Sequence, residues 1–177
     1  MALLGTSILS LSIWRDEEAL GRWRSQAEHR AAQEWGRAEI FQDYRLRIGE
    51  VSKGLSSLGA TGRENSEVEI GRAWFATVSE LFVGTGRTSG DFEALMESLE
   101  NESGANAPID HETFESIHSH GRRVILASWR RAEHALAWTG SAPQLENLRH
   151  LRIRIVRDYG MFDRGEAPRR FLQAGPE

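Results

Sequence analysis

Cysteine is absent from the 177 residues, which excludes disulfides and thiolate metal sites and fits a reducing cytoplasm, the expected location. An excess of one charge is missing too: the net charge is −4, and the 26 acidic residues are spread along the chain rather than run together. Nucleic acid as a main partner usually demands a basic surface, so it is not expected. No apolar run is long enough to span a bilayer. The first fourteen residues are apolar but lack the basic start of a signal peptide and lead straight into Trp14-Arg15-Asp16. They read as a strand rather than a leader, and no membrane partner is expected.

What the chain does contain is a repeat. Trp14-Arg15-Asp16-Glu17-Glu18-Ala19-Leu20-Gly21-Arg22-Trp23 returns, worn, as Trp129-Arg130-Arg131-Ala132-Glu133-His134-Ala135-Leu136-Ala137-Trp138, with Trp, Arg, Glu and Trp at the same offsets. Each first Trp closes a short run with the alternation and β-branching of a strand, Ser7 to Ile13 in one copy and Arg123 to Ser128 in the other. A helix follows: Asp16 is placed to cap it, Glu17 and Glu18 suit its positive end, and Leu20, Trp23, Ala27 and Ala31 form one apolar stripe. A second strand follows each helix, with Arg45 and Arg47 of 43–51 corresponding to Arg152 and Arg154 of 150–158. An internal repeat of this kind governs the whole fold assignment.

Taken in order, 7–15 is expected to be a strand, about 17–37 a helix and 43–52 a strand. Gly54 to Ser66 has the composition of a flexible linker. Ala73 to Val83 reads as a strand; Asp91 is placed to cap a helix whose Phe92, Leu95, Met96 and Leu99 share a face; His111 to His118 is a weak strand. Gly140 and Pro143 are expected to interrupt the helix after Trp129. From 69 to 158 the order is β-α-β-β-α-β, the split-βαβ ferredoxin-like pattern, whereas the first copy supplies only the last β-α-β of such a unit. The division expected is therefore 1–53, a half unit; 54–66, a linker; 67–158, a complete unit; and 159–177, a C-terminal arm burying Tyr159, Met161 and Phe162 on a neighbour. The half unit is read as a truncation, as a surface filled by a partner chain, or as an incomplete pseudo-dimer. Open sheet edges predict a homo-oligomer.

Ser12-Ile13-Trp14-Arg15-Asp16-Glu17-Glu18-Ala19, Glu28-His29-Arg30-Ala31-Ala32-Gln33, Gly36-Arg37 and Tyr44-Arg45-Leu46-Arg47 resemble the second half of an antibiotic-biosynthesis monooxygenase domain. Arg157-Asp158-Tyr159-Gly160-Met161-Phe162-Asp163-Arg164, with Glu166-Ala167-Pro168, resembles the C-terminal extension of one branch of that family. The resemblance implies an α+β protein of the dimeric α/β-barrel type, built of ferredoxin-like βαββαβ units with antiparallel sheets. It implies binding of a flat, mostly aromatic ligand between sheet and helices. The activity it implies is cofactor-free oxygenation of an aromatic or polyketide-like substrate, so no cofactor and no metal are expected. Such chemistry needs a positioned base and donors for a developing anion.

Trp23 and Trp138 stand, by that resemblance, where the family places a Trp against its ligand, although a Trp on an apolar helix stripe is more often core filling. His134, one turn before Trp138, is the proton acceptor expected in the complete unit; Trp23 and His29 take those parts in the half unit. The position six after Trp138 is Gln144, so the copies do not share one chemistry. A haem-binding relative is a further alternative, with His29 or His150 as ligand. Against that branch's pattern, ten after Trp23 is Gln33, ten after Trp138 is Leu148, and the first strand offers Thr77 and Ser79 in place of Asn. His118-Ser119-His120 sets two imidazoles on one side of an extended chain, but no third metal ligand is identifiable. Arg152 and Arg154 on one strand face suit an anionic ligand or a solvated edge. The rival to an enzyme is a ligand-binding or dimerisation protein that kept the fold without the chemistry.

Overall fold

The computed structural model describes residues 7–52, 73–82 and 90–162. The chain divides into two compact units, Met1–Arg45 and Leu46–Glu177. This division falls upstream of the expected linker; 54–66, and the arm beyond residue 162, lie outside the described residues.

In the first unit Asp16 caps helix α1 (Glu17–Ser25), its carboxylate accepting the Ala19 N–H at 2.7 Å. The Arg15 guanidinium and that N–H hold the Asp16 pKa below the usual carboxylate value. The single helix expected over 17–37 is instead cut at Gln26, whose ψ of 134° is extended, into α1 and α2 (Ala27–Trp35). One π-helical turn, Gly36–Ile40, follows. The strand expected at 7–15 does not form: 7–14 are irregular, with Ile8 and Ile13 exposed. Alternation alone cannot make a strand without a ladder partner.

The second unit is one sheet, order β1-β5-β2-β4-β3, of β1 (Arg45–Ser52), β2 (Phe75–Phe82), β3 (Asp110–Glu115), β4 (Arg122–Trp129) and β5 (Leu148–Gly160). Helix α3 (Gly90–Glu100) joins β2 to β3, and α4 (Ala132–Ser141) joins β4 to β5. The run from β2 to β5 is thus β-α-β-β-α-β as expected, and β1 adds beside β5, within the second unit rather than in a separate half unit. Three local expectations shift. Asp91 sits inside the first turn of α3 and does not cap it. Helix α4 runs through Gly140 and stops at Ala142, just before Pro143, because proline disfavours helical backbone in the residue preceding it. Tyr159 is no part of an arm: β5 extends to Gly160 and buries it.

Strand β2 is covered on both faces. One row packs under the helices, where Leu81, Ile125, Ala127 and Trp129 meet Phe92, Leu95 and Leu99 of α3 and Ala135 and Trp138 of α4. The opposite face buries Ala76, Val78, Leu151 and Ser128. There Arg47 of β1 donates to Ser128 Oγ at 2.8 Å and pairs with the Asp158 carboxylate at 3.4 Å.

Candidate functional site

Antiparallel register fixes the helix-facing row of side chains. Thr77 lies between Ala127 and Arg152, and Ser79 between Ile125 and His150, so all six share one face of the sheet. Thr77 and Ser79 are therefore two hydroxyls inside an otherwise apolar core, both at 0% exposure, and each must find a partner. Trp129 Nε1 donates to Thr77 Oγ1 at 3.0 Å, and Ser79 Oγ meets His150 Nδ1 at 2.7 Å. Opposite them, Trp138 Nε1 donates to Ser98 Oγ at 3.2 Å, and Ser98 in turn donates to the Leu95 carbonyl.

Three rings complete the arrangement. Trp129 stacks on Trp138 with centroids 5.8 Å apart, and His150 meets Trp138 edge-on at 5.4 Å. His150 is half-buried, and its desolvation, then the nearby Arg152 charge, hold its pKa below the ordinary imidazole value. With Nδ1 engaged by Ser79, Nε2 is the nitrogen free to exchange a proton with a ligand. If Nδ1 donates to Ser79 Oγ, Nε2 carries the lone pair and the ring is a base.

The first unit holds a comparable trio. Trp14 and Trp23 lie 5.1 Å apart, and Trp23 and His29 only 3.6 Å. In a continuous helix, six residues would carry His29 about 9 Å along the axis and a third of a turn away from Trp23. The break at Gln26 is what folds it back onto the indole. His29 Nε2 is buried with no hydrogen-bond partner among the described residues, and burial, then Arg24, depress its pKa.

Of the residues singled out by sequence, the structure thus joins Trp23 to His29 and Trp138 to His150. It does not join His134 to Trp138: His134 is half-buried on α4, and the rings that meet Trp138 are Trp129 and His150. Trp138 itself is fully buried, its N–H satisfied. Ser79, Ser98 and Thr77 were not foreseen as a polar network, although Thr77-Val78-Ser79 carried the signal: two hydroxyls two apart on one face of an apolar strand. His111, His118 and His120 are exposed, and no group of three His, Asp or Glu side chains among the described residues is arranged to hold a metal. No described helix is long and apolar enough to cross a membrane.

No established family profile matches the chain. It is 33% identical over 168 residues to the jasmonate monooxygenase ABM of Pyricularia oryzae, a match covering 91% of this chain and 74% of that one. It is also 33% identical over 45 residues to the uncharacterized protein YqjZ of Bacillus subtilis, covering 25% of this chain and 40% of that one. Among solved structures, an anthrone oxidase-like protein is similar at 18% identity and a TM-score of 0.38, over 88% of this chain and 74% of that one.

Proposed function

The chain belongs to the antibiotic-biosynthesis monooxygenase (ABM) family, and from that premise we propose that its second unit oxygenates a flat ring substrate bearing an acidic C–H, without a resident cofactor. The observation that carries the reading is the His150–Ser79 pair, an imidazole held by a buried hydroxyl on the helix-facing side of the sheet. His150 Nε2 takes the proton from the carbon next to a carbonyl or phenol, leaving a delocalised carbanion. Molecular oxygen adds to that carbon, the imidazolium returns the proton to the resulting peroxide anion, and the hydroperoxide loses the second hydrogen of the same carbon together with its outer hydroxyl as water, leaving a new carbonyl; the reacting carbon therefore starts as a CH2. One oxygen atom enters the product and the other leaves as water, so no external reductant is needed.

A pKa held below the ordinary imidazole value keeps the ring available as a base at pH 7. The substrate class follows the P. oryzae relative, whose name says that it acts on jasmonate, a ring ketone.

The test is oxygen uptake by purified, chelator-treated protein with jasmonate and with anthrone-type ring ketones, alongside His150→Gln and His134→Gln. We expect uptake to fall about 10²–10⁴-fold in His150→Gln and to stay near wild type in His134→Gln. Equal uptake in wild type and His150→Gln overturns the assignment of the base. A second reading, with His29 as base beside Trp23, rests on the buried, unpartnered His29 Nε2; it requires His29→Gln to abolish uptake instead.

A further inference from the structure

On β5, the helix-facing row runs Leu148, His150, Arg152, Arg154. Two of these are arginines, both half-buried. Arg154 is neutralised by Glu50 at 2.6 Å across to β1, whereas Arg152 has neither a carboxylate nor a hydrogen-bond partner among the described residues. Its cross-strand neighbour is Thr77, whose hydroxyl is already taken by Trp129. A half-buried guanidinium without a counter-ion is destabilising, because part of its hydration is lost and nothing replaces it. A bound anion would offset that loss, and a guanidinium recognises a carboxylate by two parallel N–H donors.

We propose that Arg152 anchors a carboxylate on the substrate, placing the ring of an acidic substrate over His150. The inference rests on the His150 reading above and adds the substrate's second functional group. Alternate residues of a strand stand roughly 7 Å apart, so the carboxylate is carried on a short arm from the ring rather than on the reacting carbon. Esters and amides of the same ring lack the charge and are discriminated against at this position. The Arg152 charge already reaches the imidazole, where it opposes protonation. A bound carboxylate screens that charge, so the occupied site has a more basic His150 than the empty one. Binding of an acidic substrate thereby strengthens the base that acts on it.

The experiment is calorimetric titration of the full chain with two matched pairs, jasmonic acid with its methyl ester and 1-naphthylacetic acid with its methyl ester. Wild type, Arg152→Gln and Arg152→Lys are compared after thermal melts establish that all three are folded. In wild type we expect one acid to bind at least about tenfold more tightly than its ester, a preference lost in Arg152→Gln and partly kept in Arg152→Lys, with ester affinity unchanged throughout. Equal affinities for acid and ester, an acid preference that survives in Arg152→Gln, or no binding of either pair up to about 1 mM each overturns the proposal. Binding is read without turnover, so failure of the base assignment is separable: acid preference without oxygen uptake leaves the anchor standing and removes the chemistry. Uptake that depends on His150 without acid preference does the reverse.

Discussion

In the proposed reading a single imidazole, that of His150, carries the chemistry. Burial and the Arg152 charge depress the His150 pKa, and burial and Arg24 depress that of His29. Both therefore resist protonation in the fold more than in the unfolded chain, where imidazole titrates near 6.5. Stability is complete above that value and declines as pH falls below it, because the unfolded chain binds more protons in that window. We expect urea midpoints to drop between pH 7.5 and pH 5.5, with His150→Leu and His29→Leu each removing part of the slope; a slope unchanged in both variants counts against this origin. By the same argument the acid limb of kcat/KM should lie below about 6.5 in wild type and move upward in Arg152→Gln, measured as a pH–rate profile. The tryptophans give a separate check. Trp129→Phe keeps a ring in the core but strands the Thr77 hydroxyl, so a loss of about 1–3 kcal/mol in denaturant unfolding is expected, against little change in Trp35→Phe, which is exposed.

At the level of elements, β1 is the piece whose attachment is most specific. Gly49 packs where a side chain would run into Ile153 and, at 2.6 Å, the Arg154 carbonyl oxygen, so Gly49→Val should lift β1 from β5 and expose the β5 amides to hydrogen exchange. Arg47 fastens the same strand from within. Its side chain is 16% exposed and that of Asp158 2%, so their attraction is little screened, and removing one partner leaves a buried charge. Arg47→Met is expected to destabilise by about 3–5 kcal/mol, and the double variant with Asp158→Leu by less than Arg47→Met alone. A double variant as unstable as the sum of the singles would show that the two side chains act independently.

For the whole molecule, the sheet order leaves β1 and β3 at the two edges, and five of the six residues of β3 are exposed. Trp35, Ile40 and Phe41 of the first unit, and Val51 on β1, are exposed as well. Edge strands with free backbone groups and exposed apolar side chains favour pairing between copies. We expect light scattering to give at least twice the 19.9 kDa chain mass at micromolar concentration; a monomeric mass there sinks the expectation.

The sequence by itself determined the elements from β2 to β5, because they rest on short-range pattern, apolar alternation in strands and 3–4 spacing in helices, and it carried the family through the resemblance of Ser12 to Ala19, Glu28 to Gln33 and Tyr44 to Arg47. Only the tertiary structure decided that 7–14 is not a strand, that the first helix breaks at Gln26, and that β1 joins the sheet of the second unit. Each depends on which partner a backbone finds, and local pattern does not encode partners. The same holds for the site. Trp138 was singled out by the family resemblance, but the histidine beside it is His150 and not His134, because cross-strand register, rather than proximity in the chain, sets His150 beside Ser79 and Trp138. The unpaired Arg152 was likewise visible only once the register had given Arg154 its Glu50 and left Arg152 without one.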